Sequence, residues 1–298
     1  MFEKILICVD GSDGSLEATQ LGAAVAKHFG SEVIVLNIFS AYYADPIYMG
    51  VPAMTIDGES IDQCAREEEK VVEQRVEPIF KRLAVPYQVL QKWGHPVGCI
   101  LEVAEEENID LIVLGSRGLR GVKEFLLGSV SSGVLHHATC SVLIVRGDTL
   151  PYKGFQHILF PSDNSECALE AASVAVNFSN KFATSLSVLN VFVDPSSTHL
   201  LGTEFAQISE EAIALHAQRH LKQIKYDVGE IAKKAGVFCS YHQEEGHPGK
   251  TIVQFAEHRH SDLIIMGGRG LGGFERMLLG SVSTYVTHHA NCPVLVVR

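Results

Sequence analysis

One stretch of this chain is written twice. Residues 115–146, GSRGLRGVKEFLLGSVSSGVLHHATCSVLIVR, are answered by residues 267–298, GGRGLGGFERMLLGSVSTYVTHHANCPVLVVR. Agreement over that length, glycines included, points to a duplicated folding unit, and repetition of a whole supersecondary package constrains the fold more than any local propensity. At 298 residues the chain has room for two domains of ordinary size. They are expected at 1–147 and 154–298. The connection from Gly147 to Gly154 is short, which favours two halves packed together over beads on a string.

Each repeat opens on the pattern G-x2-G-x9-G-S: Gly115, Gly118, Gly128 and Ser129 in one copy, Gly267, Gly270, Gly280 and Ser281 in the other. Ahead of the first lies an apolar run, Asp110 to Leu114, which reads as a buried parallel strand. Behind it, Val130 to His137 has the spacing of a helix, with Ser129 as its expected N-cap. Strand, glycine loop and helix start together offer free backbone N–H groups and the positive end of a helix dipole to an anion. Glycine would let the loop approach a ligand closely and take φ values closed to a side chain. The expectation is a phosphate cradle.

The rest of the chain supplies the frame. Lys4–Val9 is a buried strand, followed by the cap-like Asp10-Gly-Ser-Asp13, a helix over Ser15–Phe29 stopped by Gly30, and a second strand over Glu32–Phe39. Ser40 to Ser60 has no clear period and is long for a loop. A charged helix over Ile61–Leu83, a strand over Tyr87–Gln91 and a helix opening at Gly94-His95-Pro96 and ending about Glu107 follow. Ser141–Val145 closes the unit. The second half repeats the order with His157–Phe160, a helix from Ser165, Ser185–Phe192, a long helix, Val237–Gln243, Gly246-His247-Pro248, Asp262–Met266 and Pro293–Val297. Asp10 answers Asp163, and Asn37 answers Asn190. Alternating strands and helices predict an α/β fold: two tandem, doubly wound, five-stranded parallel sheets with strand order 3-2-1-4-5. The final strands, Ser141–Arg146 and Pro293–Arg298, are expected to be sheet edges that pair across the copies.

Composition narrows the partners. A net charge of -11 argues against a general nucleic-acid binder and against docking on anionic lipid. Cys8, Cys64, Cys99, Cys140, Cys167, Cys239 and Cys292 form no C-x2-C pair, and no His or Cys is taken to stand at zinc spacing from another. They read as small buried hydrophobes in a reducing compartment. Neither a signal peptide nor a membrane span is evident, and a cytoplasmic location is expected.

In doubly wound sheets a ligand sits at the carboxyl ends of the strands where their order reverses. Asp10 and Gly115 then face one another across a crevice. A carboxylate repels phosphate, so it is expected at the far end of the ligand, against ribose hydroxyls or a base amino group, with the Ile38-Phe39 end of the second strand as an apolar wall. That arrangement suits a nucleotide better than a bare anion.

Taken together, Val9-Asp10-Gly-Ser12, Leu114-Gly-Ser-Arg-Gly118, Leu127-Gly128-Ser129-Val130-Ser131, Cys140 and Val142-Leu-Ile-Val-Arg146 resemble the universal stress protein family. Both halves resemble it from end to end, as a tandem member. The G-x2-G-x9-G-[ST] pattern resembles the ATP-binding branch and implies the adenine nucleotide α-hydrolase-like fold. By position the resemblance implies Val9, Asp10 and Ile38 around the adenosine. It implies Gly115, Arg117, Gly118, Gly128, Ser129 and Ser131 around the phosphates, with Leu114 and Val130 beside them. The matching set is Ser162, Asp163, Val191, Met266, Gly267, Arg269, Gly270, Gly280, Ser281, Val282 and Ser283. ATP or AMP is the implied ligand, with Mg2+ on the phosphates as an accompanying ion. Three departures stand out: Ser141 where the family has Pro, Gly272 in place of Arg120, and Pro161 in the strand before Asp163, which suggests an edge strand or an altered strand end.

Other motifs read blandly. Gly249-Lys250-Thr251 lacks the first glycine of a P-loop, since Glu244 stands there, and is expected to be a helix start. His136-His137 and His288-His289 fall at helix ends, where cations meet the dipole. Glu105-Glu106-Glu107 is a solvated helix end. No nucleophile elbow, Cys–His pair or carboxylate pair is evident, so no catalytic residue is assigned and at most weak ATP hydrolysis is expected. Three functions remain open: a stress-response module regulated by bound ATP or AMP, a slow ATPase or phosphotransferase, and a partner-binding protein whose pockets are vestigial or hold another ligand. Whether two chains associate further is open too.

Overall fold

The computed structural model describes residues 1–39, 58–116, 127–146, 154–193, 210–270 and 279–298. Arg117, Gly118, Arg120, Gly272, most of the 40–60 segment and the connection between the halves lie outside the described residues. The chain divides into two compact units, Met1–Lys153 and Gly154–Arg298.

The first unit runs β1 (Lys4–Val9), α1 (Asp13–Phe29), β2 (Glu32–Phe39), α2 (Gly58–Leu83), β3 (Gln88–Trp93), α3 (Pro96–Glu106), β4 (Leu111–Gly115), α4 (Ser129–His137) and β5 (Ser141–Val145). All pairings are parallel, in the order β3-β2-β1-β4-β5. The second unit repeats this as β6 (His157–Pro161), α5 (Glu166–Phe182), β7 (Ser185–Phe192), α6 (Glu210–Ala235), β8 (Cys239–Glu245), α7 (Pro248–His258), β9 (Leu263–Gly267), α8 (Ser281–His289) and β10 (Val294–Val297). Its order is β8-β7-β6-β9-β10, again parallel. In each unit this is the strand order 3-2-1-4-5.

The central strands are covered on both faces, which is why they read as unbroken apolar runs. Ile5, Leu6, Ile7, Leu111, Ile112 and Val113 are fully buried. Helix α1 lies close because its inner face is small: a Cβ on Gly22 would stand 2.7 Å from Ile7 Cδ1. Ser12 caps α1 by accepting from the Ser15 amide at 3.2 Å, and Gly30 closes it in the left-handed conformation (φ 72°). At the amino edge of the sheet, one oxygen of Asp110 accepts from the amides of Glu3 (2.7 Å) and Lys4 (2.9 Å). Asp262 does the same for Gln156 (2.7 Å) and His157 (2.8 Å).

Pro161 is the last residue of β6, paired with Leu189, and β6 lies between β7 and β9. It therefore marks a strand end, and the edge-strand alternative is excluded. The ladder continues through the Ser162 amide, which donates to Leu189 O at 2.9 Å. Proline ends the strand where its own missing N–H costs nothing.

Candidate functional site

The carboxyl end of β1 delivers Val9 and Asp10 to the switch point between β2 and β4. Asp10 Oδ1 accepts from the Ser12 amide at 3.0 Å and from Ser12 Oγ at 2.6 Å. Asp163 Oδ1 accepts from the Ser165 amide at 3.1 Å. Each serine also caps the helix that follows, so the acidic residue is held by the helix start. Beneath them runs a buried amide relay. Asn37 Nδ2 donates to Val9 O at 3.1 Å and its Oδ1 accepts from Gln91 at 3.4 Å. In the second unit Asn190 donates to Ser162 O at 3.0 Å and accepts from Gln243 at 3.0 Å. Asn37 is fully buried, so both halves of its amide need partners, and both find them.

The glycine loop is less open than expected. The Ser116 amide donates to Val145 O (2.8 Å) and the Gly128 amide to Ser116 O (2.8 Å). In the second unit Gly268 donates to Val297 O (2.9 Å) and Gly280 to Gly268 O (2.7 Å). These amides are spent on protein, so among the described residues the loop offers fewer free donors than expected, and the helix starts keep theirs. There, the Ser129, Val130 and Ser131 amides, and those of Ser281, Val282 and Ser283, take no partner among the described residues. The first intrahelical bonds come from Ser132 and Thr284.

Two expectations, the serine N-caps and the positive φ of the loop glycines, are corrected here. The N-caps are Gly128 (φ -63°, ψ 157°) and Gly280 (φ -80°, ψ 158°), while Ser129 and Ser281 are the first helical residues and exposed. Ser131 Oγ donates to Gly115 O at 2.7 Å, and Ser283 Oγ lies 2.8 Å from Gly268 O and 3.0 Å from Gly280 O. Each hydroxyl therefore ties helix to strand, and its proton is committed. Nor do the described loop glycines take positive φ. Gly115 is needed because a Cβ would stand 2.7 Å from Gly14 O, and Gly267 because one would stand 2.8 Å from Cys167 O.

In the second unit these parts enclose a cleft of about 410 Å³. Every residue proposed for that copy lines it: Ser162, Asp163, Val191, Met266, Gly267, Arg269, Gly270, Gly280, Ser281, Val282 and Ser283. Pro161, Ala168, Leu189, Pro248 and Ile252 complete the wall and were not foreseen. Pro248 carries a signal in the sequence, the matched Gly-His-Pro motif, which by itself reads only as a helix start. Asp163 is not remote from the loop: a Cβ on Gly270 would stand 2.5 Å from its Oδ2. The acid lies beside the second glycine of the motif, closer to the loop than expected. In the first unit Val9 ends β1, Asp10 follows, Ile38 lies in β2, Leu114 and Gly115 end β4, and Gly128 to Ser131 open α4. Below Asp10, burial pushes the Cys8 thiol well above its usual range, with Cys140 and Asp10 adding to it. It is a core hydrophobe.

Elsewhere, His137 Nδ1 bonds Gly133 O and His289 Nδ1 bonds Tyr285 O, both at 2.8 Å, so these helix-end histidines satisfy their own helices. Gly249 is the second residue of α7, and a Cβ there would strike Tyr285 at 2.8 Å, so packing explains it without a P-loop. Helix α6 carries a pair at metal-ligating spacing, His216 and His220, contrary to the expectation of none. No group of three or more His, Cys, Asp or Glu gathers among the described residues. No described helix is long and apolar enough to cross a membrane.

The chain has relatives in sequence and in fold. A universal stress protein of Methanocaldococcus jannaschii is 38% identical over 157 residues, covering 52% of this chain and 87% of the relative. One from Mycobacterium tuberculosis is 30% identical over 220 residues, covering 73% of this chain and 70% of its own. The crystal structure of a universal stress protein from Archaeoglobus fulgidus superposes with a TM-score of 0.71 at 24% identity, covering 100% of this chain and 99% of that one, a likeness of fold. The sequence profile of the universal stress protein family matches residues 1–146 and again residues 154–298, and the chain belongs to that family, with two copies of its domain in tandem.

Proposed function

We propose that each unit binds an adenine nucleotide, ATP or AMP, in the crevice at the carboxyl ends of its strands, and that the protein works in the cytoplasm as a nucleotide-dependent regulatory module of the stress response. The observation that carries this is the second-unit cleft, where unspent helix-start amides, an acceptor-only acid and an apolar wall meet.

The residues present fit such a ligand. At about 410 Å³ the cleft falls within the range of roughly 300–1,000 Å³ usual for small-molecule sites. The Ser281, Val282 and Ser283 amides and the α8 dipole favour an anion, and Arg269 lines the same cleft as a bidentate donor. Leu189, Val191, Ile252 and Met266 offer a base an apolar wall. Asp163 accepts from ribose hydroxyls. Its closeness to Gly270 gives a divalent cation carried with the phosphates a reason to be there, since it would offset the carboxylate. The titratable side chains of the cleft are Asp163 and Arg269, a set suited to holding phosphates more than to activating water.

Isothermal titration of the full chain with ATP and AMP, alongside native mass spectrometry, tests the assignment. Saturable heat that falls when Gly270→Val fills the space beside Asp163 is expected. Absence of heat at millimolar nucleotide would overturn it.

A further inference from the structure

Among the described residues, helical histidines spend a ring nitrogen on their own helix: His28 on Ala24 O (2.9 Å), His137 on Gly133 O (2.8 Å) and His289 on Tyr285 O (2.8 Å). His216 and His220 of α6 do not. Among the described residues neither ring makes a hydrogen bond; the two face each other, with centroids 5.1 Å apart and planes inclined by 35°.

Their helix is held in register. Ala217, Ile224, Val228 and Ala232 are buried, and Gln243 Nε2 donates to Ala217 O at 2.7 Å. That leaves His216 exposed and His220 half-buried on a flank that does not roll. Imidazoles four residues apart on one helical face direct lone pairs at a common ion. Fixing both on a packed helix lowers the ordering cost of chelation. The first unit's helix of equal length has Cys64 and Glu68 at the matching positions, so the histidine pair is particular to the second.

We propose that His216 and His220 bind one late first-row divalent cation, Cu2+ ahead of Ni2+ and Zn2+, with water completing its coordination. Imidazole donors suit these ions, and their affinities rise in that sense toward copper. Among the described residues neither ring is braced by a carboxylate or carbonyl, the support that locks histidines in permanent metal centres, so the ion exchanges freely with solution. The site is distinct from the nucleotide cleft and does not depend on it.

Titration of the full chain with Cu2+, followed by calorimetry and electron paramagnetic resonance, tests this. One ion per chain bound more tightly than any others, with a nitrogen signature from two ligands, is expected. Loss of an outer-shell partner alone costs a metal site about 10–100-fold, so His216→Ala and His220→Ala should each weaken binding by at least about tenfold. His137→Ala, a control already bonded to its own helix, should change nothing. His220→Gln, a milder change, should weaken binding while leaving the circular dichroism spectrum intact. Equal stoichiometry and affinity in wild type and in the double variant would overturn the proposal, as would a copper spectrum without nitrogen ligands.

Discussion

Gly115 and Gly270 sit in the same motif, yet their neighbours differ in kind. Alanine at 115 would meet Gly14 O at 2.7 Å, main chain that does not yield. Alanine at 270 would meet Asp163 Oδ2 at 2.5 Å, the tip of a side chain that turns away. Gly115→Ala should therefore cost about 1–3 kcal/mol of folding stability, as overpacked sites do. Gly270→Ala should stay within about 0.5 kcal/mol while weakening nucleotide binding, because it displaces the acid. Urea denaturation beside calorimetry separates the two. A different residue responds to pH. Burial, then the neighbouring Cys239, pushes Tyr241 from 10.0 up to about 12. Well below pH 10 the phenol is neutral in folded and unfolded chains alike. Between 10 and about 12 only the unfolded chain ionises, so stability falls as pH rises through that window. Absorbance titration should show late-ionising tyrosine, Tyr87 being raised as well, of which Tyr241→Phe removes the contribution of one residue. None of this was legible in the sequence: a glycine's neighbour and a phenol's burial are tertiary facts. What was legible was which residues meet, since the eleven proposed for the second copy line one cleft.

At the scale of elements, the two copies solve one contact in opposite ways. In the first, Val97 of α3 fills the space over Gly133 of α4, where a Cβ would stand 2.8 Å from Val97 Cγ2. In the second, Gly249 of α7 makes room for Tyr285 of α8. Gly249→Val alone should overpack and Tyr285→Gly alone should leave a void, each costing about 1–3 kcal/mol. Together they should recover much of that loss, with a coupling of about 0.5–3 kcal/mol in a double-mutant cycle followed by thermal unfolding. The boundaries that shifted have similar physical reasons. Strands β3 and β8 run past Gln91 and Gln243 to Trp93 and Glu245, because each has one partner strand among those described and polar side chains are tolerated there. An apolar-run criterion stops too early on such strands. Helices α4 and α8 start at the serine rather than after it, because a glycine already supplies the extended residue an N-cap requires.

For the molecule as a whole, duplication makes each unit a control for the other. If both crevices bind nucleotide, native mass spectra should show two per chain and Gly270→Val should leave one. The amide relay carries a further consequence. Asn37 spans β1 and β2 and takes its second bond from Gln91 on the outer strand. Were β3 to peel away, a wholly enclosed carboxamide oxygen would be stranded, and the strand bearing Asp10 would lose its brace. Unzipping of that rim and slackening of the turn after Val9 should therefore be a single cooperative event. Deuterium uptake ought to climb in step at residues 9–12 and 88–93, and Gln91→Leu ought to decouple them.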